Sequence, residues 1–370
     1  MKKFDKDRLL LGIAGPALAL VVAFLLTTVV LVVSGLDPFQ PYALMVDQIE
    51  YTDVQVLVLN QTGIYYLAAL AVAIGFRMNL FNIGVDGQYR LAVMMAAVVG
   101  AAVDLPGPLH ILLIVIVAML VGALWAGIAG ILKTTRGVSE VVSTIMLNAI
   151  ATSLIAWMIL PANFGVQEKG SNDLTTGMIA ESAWFPGLEL EGGTVYGFTF
   201  IAFALGIVYW FVLNRTRFGF DLRATGASQS AAQASGVNAK KMVMTAMLIS
   251  GAVAGLSGMP MLLGQTHTYS LSFPVGVGFT AITIALLGRN SPLGIFFAAL
   301  LIAFLEKTAE GLGLEGYPKE IAMIMQGLIV IAVVVSYELV RQYGLRRQQQ
   351  KVGEELAAQA ARKKKEGAAA

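Results

Sequence analysis

The sequence lacks the residues on which many enzyme active sites are built. Its 370 residues include no cysteine and two histidines. The missing cysteines exclude disulfide frameworks, thiolate metal sites and a cysteine nucleophile, and two histidines leave little scope for imidazole chemistry. The sequence also contains no phosphate-binding loop and no His-Glu-x-x-His zinc motif. We therefore expect a non-catalytic chain that holds no metal and no cofactor of its own.

Charge is also scarce. Charged residues make up 13% of the chain and hydrophobic residues 57%, against roughly 25% and 45–50% in soluble domains. The apolar residues form long runs, and a membrane-spanning helix needs about 20 of them. The composition excludes a typical soluble enzyme and predicts an all-α polytopic membrane protein.

Ten apolar segments are candidate membrane spans. Seven have nearly the full length that a bilayer requires, whereas three are short and would need tilt, partial unwinding or a neighbouring helix. The long segments are 9–34, 54–76, 111–132, 141–160, 196–213, 242–264 and 321–337, and the short ones are 91–103, 276–287 and 293–305.

Positive charge predicts the orientation. If the N-terminus is cytoplasmic and the spans alternate, 22 of the 25 lysines and arginines fall on the cytoplasmic side, as the positive-inside rule requires. Both termini are then cytoplasmic, with a transmembrane domain at 1–340 and a basic cytosolic tail at 341–370. Acidic residues gather in the outer loops, where we place Glu306 and Glu310.

The spans divide into two halves of five, at about 1–165 and 190–340, joined by an outer loop. An odd number of spans per half obliges the halves to be inverted relative to each other. The third span of each half, 91–103 or 276–287, is short, and short spans in corresponding positions indicate a substrate pathway near the midplane. The alternative is that both are tilted packing helices.

Small residues recur at helical spacing in two of the long segments. Such residues let helices approach closely in lipid, so we predict a packing role rather than a pore. The sets are Gly122, Ala126 and Gly130, and Gly251, Gly255 and Gly258.

A polar stretch at 77–90 interrupts the apolar pattern. Its glycines permit irregular backbone, and its amide and carboxylate side chains can bond main-chain groups that are freed from helix. The stretch is either a re-entrant or sharply turned element or an ordinary cytoplasmic loop capped by Asp86. In both cases Asn82, Asp86 and Gln88 organise it locally.

Two further polar residues belong to the span at 141–160. Glu140 precedes the span, where the helix dipole stabilises a negative charge at the helix terminus. Asn148 lies about two turns deeper, where an amide either bonds a neighbouring helix or lines a wet pathway.

The largest inner loop, 214–241, carries a predicted short helix. Ser228 can cap it, small alanines form its surface, and Gly236 can end it. The helix is either a contact for a cytosolic partner or a solvated connector.

Several stretches together resemble the permease subunits of ABC importers of the nucleoside and simple-sugar type, which are related more distantly to ribose and branched-chain amino-acid permeases. The stretches are 81–88, 140–148, 223–226 with 231–232 and 235–237, 250–258 and 285–294. The resemblance implies a multi-pass protein of the bacterial inner (plasma) membrane that forms the import pathway for a nucleoside or related small polar solute.

The resemblance also implies partners and residue roles. The partners are a second homologous permease, cytosolic ABC ATPase subunits that bind ATP and Mg, and an extracytoplasmic solute-binding lipoprotein. The implied translocation pathway comprises Asn82, Asp86, Gln88, Asn148, Phe279 and Thr280. The implied ATPase coupling loop comprises Arg223, Gly226, Ala231, Ala232 and Gly236.

Two positions depart from the family pattern. The family commonly has Glu where this chain has Asp86, and often an Asp-Gly pair where this chain has Thr280 and Ala281. The departures leave the solute open between nucleosides and simple sugars. The inverted halves would also suit an ion-coupled secondary transporter.

Overall fold

The computed structural model describes residues 6–167, 173–313 and, apart from 314, 319, 321–322, 326, 333–334, 337, 341, 345 and 348, the stretch up to 350. These residues are mostly helical. The helices are α1 (Lys6–Val33), α2 (Gln40–Asp47), α3 (Thr52–Phe76), α4 (Val85–Ala102), α5 (Gly107–Arg136), α6 (Glu140–Met158), α7 (Gly197–Arg215), α8 (Arg217–Ala227), α9 (Gln229–Ala234), α10 (Ala239–Gly255), α11 (Met259–Met261), α12 (Val277–Leu287) and α13 (Pro292–Leu312).

Short elements complete the description. The connection from α6 to α7 holds two antiparallel hairpins, β1 (Gly165–Gln167) with β2 (Leu174–Thr176) and β3 (Leu188–Leu190) with β4 (Gly193–Val195). A π-helical turn, Leu262–Thr266, follows α11. The sequence pattern did not predict these hairpins, since each strand has three residues.

The chain forms two compact units, one of residues 45–311 and one of the two terminal regions, 1–44 and 312–370. In the terminal unit, the ring of Phe24 on α1 contacts those of Phe39 and Tyr42. The Tyr317 hydroxyl donates to Gln40 Oε1 at 2.9 Å. The bond between Tyr317 and Gln40 connects the two sequence-distant parts of the smaller unit.

Six helical segments are long and apolar enough to cross a membrane: Thr52–Phe76, Gly107–Arg136, Glu140–Met158, Gly197–Arg215, Ala239–Thr266 and Pro292–Leu312. They correspond to six of the ten predicted segments. The short segment predicted at 276–287 is confirmed as α12, which has 11 residues. The segment predicted at 321–337 lies partly outside the described residues.

Two predicted boundaries were wrong. The helix expected at 91–103 begins six residues earlier, as α4, and has 18 residues. It includes Asp86 and Arg90, which are buried and hydrogen-bonded to other elements. The helix expected at 293–305 continues to Leu312, so Glu306 and Glu310 lie in α13 rather than in a loop.

The close packing expected from small residues is confirmed where α5 crosses α10. A Cβ atom built on Gly122 would lie 2.2 Å from the carbonyl oxygen of Gly251, and one built on Gly251 would lie 2.3 Å from that of Gly122. One turn further along α10, a Cβ atom on Gly255 would lie 2.2 Å from the Ala118 carbonyl oxygen. Backbone therefore meets backbone at this crossing, which requires glycine.

We expect Gly122→Ala to destabilise the protein and Gly127→Ala, its matched control on the same helix, to be neutral or stabilising. The added methyl at 122 meets rigid backbone, and overpacking of this kind costs roughly 1–3 kcal/mol. At 127 it meets the end of the Leu248 side chain at 3.0 Å, and alanine favours helix over glycine by about 1 kcal/mol. Thermal midpoints of the detergent-solubilised variants test this, and equal midpoints would contradict the crossing geometry.

Candidate functional site

The chain turns sharply back into the protein between α3 and α4. Leu80 N donates to the Gly75 carbonyl at 2.9 Å, and Asn79 has a φ of 57°. Asn82 Nδ2 then donates to Ser250 Oγ at 2.9 Å, and Ser250 Oγ donates to the Ala71 carbonyl at 2.7 Å. Through Ser250, the Asn82 side chain is connected to the α3 backbone at Ala71, five residues before the helix ends. Of the two readings of this stretch, the sharply turned element is confirmed.

Asn82 and Gln88 pair through their side-chain amides. Asn82 Nδ2 donates to Gln88 Oε1 at 3.0 Å, and Gln88 Nε2 donates to Asn82 Oδ1 at 2.9 Å. Asn82 Oδ1 also accepts from Gly84 N at 3.1 Å. Both side chains are fully buried, so these bonds provide the partners that buried amides need.

Asn148 on α6 bonds the same turn. Its Nδ2 donates to the Ile83 carbonyl, and its Oδ1 accepts from Gly87 N, each at 2.9 Å. A Cβ atom on Gly87 would lie 2.8 Å from Asn148 Oδ1, so glycine is required for the approach. Of the two roles predicted for this amide, the geometry favours a bond to a neighbouring element, and a role in the pathway stays a prediction.

Asp86 joins α4 to α12, which the sequence did not indicate. It lies in the first turn of α4, but its Oδ1 accepts from Gly276 N at 2.8 Å and Gly278 N at 3.2 Å. The carboxylate thus satisfies free amides at the N-terminus of another helix, where the helix dipole favours a negative charge. The Tyr89 hydroxyl donates to the Pro274 carbonyl nearby. The two segments predicted to be short therefore meet directly.

The six residues of the predicted pathway fall into two groups. Asn82, Asp86, Gln88 and Asn148 all bond to the turn or to α12, and we call these four residues the polar cluster. Phe279 and Thr280 follow on α12. The Phe279 side chain is exposed and that of Thr280 is half-buried.

Sequence reasoning missed Glu306. The Tyr65 hydroxyl donates to its carboxylate, and the Gln61 and Thr280 side chains lie beside that hydroxyl. A usable signal was present, because residues 305–310 contain no glycine or proline that would end the helix at Leu305.

The structure places Glu140 in the first turn of α6, where the sequence predicted it. Its carboxylate pairs with Lys133 Nζ and accepts from Phe81 N at 3.4 Å. Glu140 is therefore a helix-terminus charge that also contacts the turn at 77–84.

The predicted short helix in the inner loop is confirmed as α9. Ser228 Oγ accepts from Ala231 N at 3.3 Å at its start, and Gly236 has a φ of 85° just after its end. Ala231 is exposed, whereas Ala232 is buried. The helix thus has an outward surface that is available for contact.

The preceding helix, α8, lies on the turn that leads to the polar cluster. A Cβ atom on Gly226 would lie 2.6 Å from the Arg77 carbonyl oxygen and 2.7 Å from Met78 Cα. Arg223 also belongs to α8, and its Nη1 is buried without a hydrogen-bond partner in the described part of the chain. Gly226, one of the predicted coupling residues, is therefore connected to the polar cluster through residues 77–84.

Arg77 extends this connection to the other end of α12. Its Nη2 donates to the Asn290 carbonyl at 2.8 Å, and the Tyr209 hydroxyl donates to the same oxygen at 2.9 Å. Arg289 and Asn290, between α12 and α13, both have a φ of 54°. The two ends of α12 are thus held by residues on either side of one turn.

Each of the two histidines contacts other residues of the protein in a structural role. His110 contacts Ser182 Oγ at 3.0 Å and the Gly100 carbonyl at 2.8 Å. His267, which follows the π-helical turn, stacks on Trp184 with ring centroids 4.0 Å apart. Burial lowers the pKa of His267 and so favours the neutral form of the stacked imidazole.

Comparison with known proteins covers most of the chain. The family described as "Branched-chain amino acid transport system / permease component" matches residues 55–334. The guanosine ABC transporter permease NupP of Bacillus subtilis is 36% identical over 88% of this chain and 93% of its own length. The nucleoside permease NupB of Lactococcus lactis is 31% identical over 87% and 90%. The glucose permease TsgB13 of Haloferax volcanii is 28% identical over 87% of each chain.

The family match includes α3 to α13 and all four residues of the polar cluster. The helices of spanning length agree with a membrane-embedded protein. The chain therefore belongs to the branched-chain amino acid transport system permease family and is a membrane-embedded permease component.

Proposed function

We propose that the chain is a permease subunit of an ATP-driven ABC importer that carries a nucleoside, or a related small polar solute, across the bacterial plasma membrane. The observation that carries this proposal is the near full-length similarity to two nucleoside permeases, at 36% and 31% identity. A simple sugar is the second candidate, because a glucose permease is 28% identical over a similar share of the chain.

In this proposal the energy comes from partner subunits. The chain has no phosphate-binding loop, so ATP and Mg bind to cytosolic ABC ATPases. A second homologous permease completes the pathway, and an extracytoplasmic binding lipoprotein delivers the solute. The chain itself has no catalytic activity.

The contacts of α8 and α9 support a role in coupling. The exposed surface of α9 would receive the ATPase, and Gly226 on α8 touches the turn at Arg77 and Met78. From there Asp86 bonds the N-terminus of α12, and Arg77 bonds the residues after its C-terminus. A displacement of α8 would thus change the position of α12, which carries Phe279 and Thr280. Such an element couples two sites when each site favours a different position of it.

The proposal includes ten spans in two inverted halves, with both termini cytoplasmic. The excess of Lys and Arg in the assigned cytoplasmic segments supports this orientation. It places α8 and α9 on the side where ATP is available.

We expect nucleoside uptake to depend on ATP hydrolysis by a partner. The chain is expressed with its ATPase, second permease and binding protein in a bacterium without other nucleoside uptake, and entry of labelled guanosine is measured. An ATPase variant that binds but does not hydrolyse ATP should abolish entry. Ion-driven uptake by proteoliposomes that contain this chain alone would instead establish a secondary transporter.

We expect Ala231→Glu to uncouple ATPase activity from transport while the complex still assembles. The side chain at 231 is exposed, so a bulky charge changes the α9 surface without entering the core. The measurement is the amount of solute imported per ATP hydrolysed in the reconstituted complex. This ratio should fall by about tenfold or more, which is the effect of losing one well-packed interface contact.

Ala232→Glu is the matched comparison, because this neighbour is buried. It should reduce the amount of folded protein instead of changing the ratio of transport to ATPase activity. An unchanged ratio in Ala231→Glu would contradict a coupling role for α9.

We expect Asn148→Leu to lower the thermal midpoint. The change leaves the Ile83 carbonyl and Gly87 amide without their partner, at about 1–3 kcal/mol for each unsatisfied group. Thermal stability and uptake per folded complex are measured together. A normal midpoint with reduced uptake would assign Asn148 to the pathway instead.

A further inference from the structure

A carboxylate lies well inside the helical part of this membrane-embedded chain. Glu306 belongs to α13, and its carboxylate accepts from the hydroxyl of Tyr65. Tyr65 lies thirteen residues after the start of α3 and eleven before its end, or about 20 and 16 Å from the two ends. An acidic side chain at such a depth costs at least about 3 kcal/mol on insertion scales and usually serves the transported species.

Glu306 forms no salt bridge within the described residues, and the adjacent Lys307 acts on its carboxylate only through electrostatic attraction. The adjacent Lys307 donates to both carboxylate oxygens of Glu310, at 3.0 and 3.1 Å. Tyr65 occupies Oε2 of Glu306, and Oε1 has no hydrogen-bond partner within the described residues. The Glu306 side chain is half-buried, so the free oxygen is not sealed in the core.

Two polar, neutral side chains, those of Gln61 and Thr280, lie beside the Tyr65 hydroxyl. Gln61 and Tyr65 belong to α3 and are buried, and Thr280 on α12 is half-buried beside the Tyr65 hydroxyl. Gln61 and Thr280 can each donate and accept hydrogen bonds, whereas an ionised carboxylate accepts only. The group therefore suits a neutral solute with hydroxyl or N–H donors.

We propose that Glu306, Tyr65, Gln61 and Thr280 form a solute-binding site within the pathway, the Glu306 site, whose carboxylate accepts hydrogen bonds from hydroxyl or N–H groups of a neutral polar solute. This inference rests on the proposed function and deepens it. The site differs from the polar cluster in one respect, because the side chains of the polar cluster bond other groups of the protein.

Thr280 connects the site to the proposed coupling mechanism. It lies on α12 two residues after Gly278, whose amide donates to Asp86. Exposed Phe279 lies between these two residues. A shift of α12 would move Thr280 relative to Tyr65 and Glu306, and so change the geometry offered to a solute.

The test uses the complete transporter, reconstituted in proteoliposomes with its binding protein, and measures solute imported per ATP hydrolysed. The variants are Glu306→Gln, which keeps the shape, Glu306→Leu, which removes both acceptors, and Tyr65→Phe, which removes the hydroxyl. Glu310→Gln is the matched control on the next turn, where the carboxylate is exposed and paired with Lys307. The solutes are guanosine, 2′,3′-dideoxyguanosine and glucose.

We expect Glu306→Leu to lower guanosine import per ATP by about tenfold or more, the loss typical of a hydrogen bond to a charged group. Glu306→Gln and Tyr65→Phe should show smaller losses per folded complex, with assembly retained, and Glu310→Gln should behave as wild type. A deficit that disappears with the dideoxy analogue assigns the bond to the 2′- or 3′-hydroxyl of the ribose, and one that persists assigns it to the base or to the 5′-hydroxyl.

If both Glu306 variants import as much solute per ATP as the wild type, the proposed Glu306 site is wrong. It is also wrong if the variants lose folded protein while the surviving transporters keep the wild-type ratio, because that pattern is structural. If the wild-type complex imports glucose and no nucleoside, the nucleoside assignment fails, and the Glu306 site stands or falls on glucose import by the same variants.

Discussion

The bond from Asp86 to the amides of Gly276 and Gly278 is the contact on which the arrangement of the larger unit depends. It exists because the first amides of α12 have no intrahelical partners and α12 begins beside α4 rather than in water. A Cβ atom on Gly278 would lie 2.4 Å from Asp86 N, so the two helices meet at backbone distance. A helix of 11 residues is thereby fixed at its start by a residue 190 positions earlier in the sequence.

The same requirement explains the turn between α3 and α4. A chain that re-enters an apolar interior exposes amides and carbonyls that must be paired. Asn82 and Asn148 supply these partners, and Gln88 bonds the Asn82 amide. Glycine at 84 and 87 leaves room for the side chains of Gln88 and Asn148. These polar side chains are therefore required because the buried backbone of the turn is not helical and cannot pair all of its own amides and carbonyls.

The parts of the structure that depend on local sequence could be predicted. The capping of α9 by Ser228 and the close packing at the small residues of α5 and α10 are local or periodic features, and both were predicted. That α5 and α10 cross each other is known from the structure alone. The start of α4 and the end of α13 could not be placed by a rule that ends a span at a charge. Asp86 and Glu306 remain in helices because partners far away in sequence, Gly276 and Tyr65, stabilise them. These partners are distant in sequence, so a prediction from local sequence does not include them. Such a prediction ends the helix at a charged residue that follows or precedes an apolar run.

The difference between satisfied and unsatisfied polar groups distinguishes scaffold from site in this chain. In the polar cluster each amide and the Asp86 carboxylate bond groups of the protein, and a solute would have to break such bonds to use them. One carboxylate oxygen of Glu306 has no hydrogen-bond partner among the described residues, and the side chain is half-buried. The free-energy cost of inserting this carboxylate into a membrane is similar to that for Asp86. A charge retained there without full pairing is costly to the fold unless a ligand meets it. For that reason the pathway is better sought from Glu306 and Thr280 than from the polar residues that first attracted attention in the sequence.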